Sequence, residues 1–315
     1  MPKETLVNKF LSRLRKDGPY RTLSKTLDRL MFYFSGPDAR IARLRLLKSR
    51  SLSSDEIRLL ERASLNLNVH DSMYVRFEAR HYLEVGLSAI RCVNAAIEGA
   101  GEIERVLDLP CGYGRVLRFL KQRFPNATIT ACELNREALD FCAASFSVET
   151  AFSNPDPSRI PLTGEFDLIW CGSLLTHFDE PRAEAILRFF YDHLSPNGVC
   201  VFSAHGDLSA DWLENDLEHY GLPQSARNTI LRAYRDTGFG YADYPGQSYG
   251  ISIISRQKVH AICSRVGNWH ERLFMHHGWA RHQDVYGYTK RNLPGKVVIP
   301  SERPKKVPGK WERAL

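Results

Sequence analysis

No apolar run in these 315 residues approaches the roughly 20 residues that a membrane-spanning helix requires, so no span is expected. The opening segment, MPKETLVNKFLSRLRKDG, interleaves basic and apolar residues, and without an apolar core it does not read as a secretory leader. Cysteine is sparse and unpaired. The seven (Cys92, Cys111, Cys132, Cys142, Cys171, Cys200, Cys263) include no Cys-x-x-Cys pair and lie mostly inside apolar segments. Reduced, buried thiols are expected, with neither a disulfide framework nor a zinc site. None of the eleven histidines shows zinc-ligand spacing, and the neighbours His276 and His277 on a strand would point to opposite faces. No metal is expected. Together these absences point to a cytoplasmic protein.

Charge is present but uneven. Residues 1–50 hold 13 Lys/Arg against 4 Asp/Glu, and residues 291–315 hold 7 against 2, whereas 51–290 hold 23 against 30. The net +7 therefore belongs to the two ends. A nucleic-acid enzyme would carry its positive charge around the cleft, so a nucleic-acid partner is not expected.

In residues 1–70 the sequence reads as a basic helical extension. Leu6, Val7, Phe10, Leu11 and Leu14 share one helical face, the segment 22–34 repeats the theme, and Ile41, Leu44 and Leu47 recur at helical spacing. Such an arm either packs on its own domain or a partner chain, or lies on an anionic membrane surface as a peripheral contact through residues 1–50. The tail 291–315 is rich in Pro and Lys and is expected to be poorly ordered. Between them, residues 71–290 form one domain. Ser53-x-x-Glu56 opens a helix as a capping box, and 75–99 forms a longer one. Strands at 105–109, 128–133, 148–152, 166–171 and 199–203 then alternate with helices at 114–123, 136–145 and 180–194. Several of these strands are continuous apolar runs, as in a parallel sheet buried on both faces. The fold class is therefore α/β, a doubly wound and mostly parallel sheet, with its ligand crevice at the carboxyl ends of the strands. A helix over 255–266 and strands at 269–276 and 283–289 follow, the last two as an antiparallel hairpin.

The first βα turn, VLDLPCGYGRVLRFL at 106–120, brings backbone close to a ligand through Gly112 and Gly114. A dinucleotide fold wants a third glycine where Leu117 stands, and Asp108 would repel a pyrophosphate. That acid suits a cationic amino-acid end. Glu133, which closes the second strand, suits two ribose hydroxyls.

Asp108-Leu-Pro-Cys-Gly112-Tyr-Gly114 resembles the D-x-G-x-G-x-G turn of the class I S-adenosylmethionine-dependent methyltransferases, with Pro110 at the family's first glycine. Glu133 matches the ribose acid, Phe166–Ser173 resembles the fourth strand, and Leu194-Ser-Pro-Asn-Gly198 the turn into the fifth. The resemblance implies a seven-stranded Rossmann-like sheet and S-adenosylmethionine as cofactor. It places Asp108, Cys111, Gly112 and Gly114 around the cofactor's amino-acid end, with Cys111 and Gly112 supplying the contacts that Pro110 cannot. Leu134 lies against the adenine, Asn154 or Asp156 near its amino group, and Ser173 on the sulfonium side.

Methyl transfer to a hydroxyl gains from a base. His177 after the fourth strand and His205 after the fifth are the candidates for that role. His282, with Asp284, is a third. The insertion 207–248 and the Gly/Tyr-rich stretch 237–250 either close over a polar substrate, with Tyr249 among its contacts, or form an ordinary turn. The expected activity is O-methylation of a polar small molecule or glycan, such as a cell-surface glycan or lipid-linked sugar, at or near the inner membrane surface. A non-catalytic scaffold of the same fold and an NAD-dependent oxidoreductase are the alternatives.

Overall fold

The computed structural model of the chain describes residues 35–75, 77–292 and 296–298. The helices expected at 5–16 and 22–34 lie outside them, as does most of the tail.

Alternate residues of the central strands feed two separate cores, which is why those strands read as unbroken apolar runs. On β1 (Arg105–Asp108), Val106 joins one core and Leu107 the other. On β4 (Phe166–Cys171), Leu168 and Trp170 face one way, and Ile169 and Cys171 the other. The sheet order is β10-β8-β9-β5-β4-β1-β2-β3. Here β2 is Thr128–Glu133, β3 Glu149–Phe152, β5 Leu194–Ala204, β8 His270–Trp279 and β9 Gln283–Thr289. Pairing is parallel from β3 through β5, and β9 then runs antiparallel to both β5 and β8. The seven expected strands are present, and a short eighth, β10 (Lys296–Val298), pairs in parallel with β8.

Helices cover both faces. The first three are α1 (Ser35–Leu47), α2 (Ser54–Arg62) and α3 (Ala79–Ile97), and α4 (Leu117–Arg123) and α5 (Arg136–Phe146) follow β1 and β2. The Ser53–Glu56 capping box opens α2 as expected. On α1 the expected apolar face is not the buried one: Ala39, Ala42 and Leu46 are covered, whereas Ile41 and Leu44 are 48% and 57% exposed. Small residues allow close approach to α3, and Asp38 fixes the orientation by accepting from Tyr74 Oη (2.8 Å) and the Ala79 amide (3.1 Å). Among the described residues, no helix is long and apolar enough to cross a membrane. All seven cysteines are free and buried.

Helix α6 (Glu180–His193) leads into β5, after which the chain builds α7 (Asp207–Glu214), α8 (Gln224–Thr237) and α9 (Arg256–Val266). Within the expected loop region a hairpin forms, β6 (Phe239–Asp243) with β7 (Gly250–Ile254), as a second two-stranded sheet. With α7 and α8 it encloses its own small core around Leu213, Ile230, Tyr244 and Ile253.

One buried cation ties the N-terminal segment to the first turn. Arg118 is 1% exposed. It donates to Gly114 O (3.0 Å), Ser64 O (2.8 Å), Asn66 O (3.0 Å) and Tyr82 Oη (3.3 Å). Hydrogen bonds to a charged group are worth about 1.5–3 kcal/mol each. Arg118→Met, similar in length but without donors, should lower the unfolding free energy by about 3 kcal/mol or more, read as a drop in the urea midpoint. An unchanged midpoint would show that these bonds carry no net stability.

Candidate active site

Three parallel strands end side by side, and the site is built on their ends. Register aligns Asp108 with Ala131 on β2 and Trp170 on β4, so Asp108, Glu133 and Ser173 all emerge at the same edge. Asp108 is 1% exposed and neither carboxylate oxygen has a hydrogen-bond partner. Burial, and then the charge of Glu133, pushes its carboxyl well above the usual carboxylate range. A buried acid without a partner is costly unless a ligand pairs with it.

The turn after β1 departs from expectation in its donors. Pro110, joined to Leu109 by a cis bond, has no N–H. The Cys111 amide is used by Cys132 O (3.1 Å), and its thiol points inward to Cys142 Sγ at 4.0 Å. Cys111 is thus part of the scaffold and has no amide to offer a ligand. The Gly112 amide is bound to Glu133 Oε2 (2.9 Å). What Gly112 offers instead is space: its φ is +51°, and a Cβ there would meet nothing within 4 Å. Gly114 is different, since a Cβ would come within 2.3 Å of Phe146 Cε2; this glycine serves helix packing.

Glu133 also accepts the amides of Leu134 (2.8 Å) and Asn135 (3.0 Å) on Oε1. Three backbone donors therefore occupy a carboxylate with about four lone-pair sites. Its first task is to lock the β1 turn to the end of β2, leaving limited capacity for hydroxyls. Beside it, Leu134 and Phe152 are 49% and 41% exposed, apolar surface that a flat ring would cover, and the Arg136 guanidinium lies 4.5 Å from the Phe152 ring centroid. Asn154 and Asp156 are spent on their own turn. Asn154 accepts the Asp156 amide (2.9 Å), and Asp156 caps a short 3-10 turn through Ser158, whose hydrogen bonds lower its pKa. Phe152, the last residue of β3, lies exposed just ahead of this turn.

Next to this crevice lies a cavity of about 370 Å³, within the range of small-molecule sites. Ser173, Thr176, His177, His205 and Gln283 supply its sheet-side wall, and Glu218, Tyr220 and Tyr244 its insertion-side wall. Ser173, at φ +62°, is fixed by its amide on Ser203 Oγ (2.8 Å) and by Gln283 Nε2 on its hydroxyl (2.9 Å). Arg115, Trp279 and His282 complete the rim. Arg115 lies 5.5 Å from the Trp279 ring centroid.

Two histidines converge here, both held by β7. His177 Nδ1 lies 2.9 Å from Gly250 O, and His205 Nδ1 lies 3.2 Å from Ser252 O. A carbonyl can only accept, so each Nδ1 carries the proton and each Nε2 keeps its lone pair. Burial lowers both pKa values; His205 is held well below the ordinary value, with His282 and His177 adding to the effect. Both rings are neutral bases at pH 7.

The third candidate differs. His282 lines the cavity, but its Nε2 is engaged by Tyr220 Oη at 2.7 Å, and burial drops its pKa to about 3. It braces Tyr220 and is not positioned as a base. Asp284 does not line the cavity: its carboxylate packs on Gly206 and accepts the His277 amide (2.8 Å). Tyr249 stands behind the wall, its ring centroid 6.1 Å from that of His177 and 5.4 Å from that of Tyr244, and Tyr244 takes the place expected for it. Sequence reading missed Arg115, Glu218, Tyr220 and Gln283. Arg115 directly follows Gly114, Gln283 lies between His282 and Asp284, and Glu218 and Tyr220 fall in the insertion expected to close over a substrate.

S-adenosylmethionine fits the crevice beside the cavity by its chemistry: the unpaired Asp108 suits an ammonium, the space over Gly112 suits close approach, and Leu134 with Phe152 suits adenine. Asp108→Ala should weaken S-adenosylmethionine binding about ten-fold or more by calorimetry, the order of one lost charge-assisted interaction, without lowering the melting temperature of the free chain. A large loss of stability would show instead that the acid serves the fold.

Residues 106–198 match the family model described as a methyltransferase domain. Over 96 residues the chain is 33% identical to a trans-aconitate 2-methyltransferase of Deinococcus radiodurans, covering 30% of this chain and 35% of that one. Over 103 residues it is 28% identical to a malonyl-[acyl-carrier protein] O-methyltransferase of Bacillus cereus, covering 32% and 38%. The chain thus spans little more than a third of the length of these two curated relatives. A TehB-like SAM-dependent methyltransferase from Corynebacterium glutamicum is similar in structure, at 15% identity and a TM-score of 0.42, over 65% of this chain and 88% of that one. Through residues 106–198 the chain is thus similar to S-adenosylmethionine-dependent methyltransferases.

Proposed function

We propose that the chain transfers a methyl group from S-adenosylmethionine to a hydroxyl oxygen of a polar, sugar-sized acceptor bound in the cavity between the sheet and the insertion. The observation that carries this reading is the pair of neutral imidazoles, each with Nδ1 committed to a β7 carbonyl. Nε2 lone pairs accept from hydroxyls and repel carboxylate oxygens. The cofactor, when bound, supplies a methyl already activated on sulfur. The chain has to orient the acceptor and accept its proton, and Nε2 of His177 or His205 takes that proton as the new C–O bond forms. Tyr220, Tyr244 and Trp279 offer ring faces to a sugar, and Glu218 can accept further hydroxyls. A lipid-linked or surface glycan is the finer form of this acceptor. Exposed Ile41 and Leu44 beside the exposed Arg40 and Arg45 support contact with an anionic surface.

A carboxylate acceptor is the second reading. It is favoured by the names of the two curated relatives, one acting on trans-aconitate and one on malonyl-[acyl-carrier protein], and by Arg115 on the cavity rim.

Product chemistry separates the two. Incubation with labelled S-adenosylmethionine and a panel of sugars, nucleotide sugars and polycarboxylic acids should give label that survives mild alkali, as an ether does. Alkali-labile label, as from a methyl ester, would overturn the hydroxyl reading.

The base is tested by pH. Because burial lowers both pKa values, activity should fall only as pH drops below about 6.5, and should be flat from there to pH 8. His205→Gln or His177→Gln, whichever removes the base, should cut kcat by about 10²–10⁴ and abolish the acid limb. The other should act mainly on KM. Two variants with near-normal kcat would exclude both histidines.

A further inference from the structure

The adjacent histidines of β8 do not point to opposite faces. Between the pairs Met275↔Val285 and Trp279↔Gln283, β8 carries residues 276–278 where β9 carries only Asp284. This bulge turns His277 into the left-handed region at φ +49°, a conformation that non-glycine residues rarely adopt. Its effect is convergence. A ring nitrogen of His276, one of His277 and a carboxylate oxygen of Asp284 all lie within 4.8 Å of one another.

The surroundings hold the acid in place. Asp284 is 4% exposed, and a Cβ at Gly206 would come within 2.0 Å of its Oδ2, so only glycine allows the carboxylate there. Its Oδ1 accepts the His277 amide at 2.8 Å, which fixes the acid against the bulge. The two histidines are part-buried, leaving a route from solvent. Two imidazoles and one carboxylate are borderline ligands suited to divalent zinc, iron, cobalt or nickel, and unsuited to magnesium or calcium alone. Ligand atoms bound at about 2.0–2.2 Å stand roughly 3–3.5 Å apart, so small side-chain rotations would close the set around one ion.

We propose that His276, His277 and Asp284 bind one divalent transition-metal ion of the zinc class. Three protein ligands leave at least one coordination position for water. The site lies behind the acceptor cavity: the bulge leads directly to Trp279, and Asp284 directly follows His282 and Gln283, all three on the cavity wall. The ion would act as a clamp on that wall. This inference does not depend on the identity of the acceptor or on the methyltransferase reading.

The test uses the untagged full chain, stripped with chelator and dialysed. Zinc titrated by calorimetry should bind with one ion per chain and raise the melting temperature, as a ligand of the folded state must. Cobalt should develop ligand-field absorption. His276→Gln and Asp284→Asn should each weaken zinc binding about ten-fold or more and reduce the metal-induced rise in melting temperature. His260→Gln, at an exposed position on α9, should leave both unchanged. Far-UV circular dichroism of the metal-free variants distinguishes loss of binding from loss of fold, and His276→Gln, whose side chain is only part-buried, is the variant expected to remain folded. Absence of saturable zinc binding by the wild-type chain, or folded His276→Gln and Asp284→Asn variants that bind as the wild type does, would overturn the proposal.

Discussion

The pairing of β1 with β2 on one side and β4 on the other is the constraint from which the site follows. Parallel strands in register end together, and their free ends present side chains and turns to one crevice. Asp108, Glu133 and Ser173 meet because Leu107 and Asp108 are hydrogen-bonded between neighbours that cannot slip without turning every core residue outward. The same enclosure denies Asp108 any partner from the protein. A carboxylate that is fixed, dry and unpaired is pre-organised for a cation in a way that a solvated one is not.

What the sequence disclosed divides along a physical line. Apolar runs, cap residues and turn glycines act locally, so the central strands, their helices and the Asp108–Gly114 turn could be read directly. Features set by tertiary contact could not. On α1 the residues Ile41 and Leu44 look like the buried stripe, yet Ala39 and Ala42 bury because a close helix approach favours small side chains. The β6–β7 hairpin lay hidden in a glycine- and tyrosine-rich stretch whose pattern serves a turn equally well. The bulge at His276–Gly278 exists only because β9 offers a single residue opposite three, and a lone strand cannot announce that.

The site shows the same division. His177 and His205 were identifiable as histidines following strands, but their protonation is decided by carbonyls of Gly250 and Ser252, more than forty residues away in sequence. Cys111 and Gly112 looked like donors until Cys132 and Glu133 were seen to use their amides. Asp284 looked like a cavity residue because it neighbours His282, whereas alternation along β9 puts Gln283 on the cavity wall and Asp284 on the other face. Each error came from assuming that nearness along the chain is nearness in function.

The hairpin sheet has a wider consequence. Because β6, β7, α7 and α8 pack around a core of their own, one wall of the cavity, and with it the proposed acceptor site, belongs to a unit distinct from the strand ends that carry Asp108 and Glu133. Substitutions in that unit can reshape the chamber, and so alter which molecule is accepted, while the sulfonium-binding half stays as it is. Such a division lets one scaffold explore new chemistry partners without first having to rebuild its donor site.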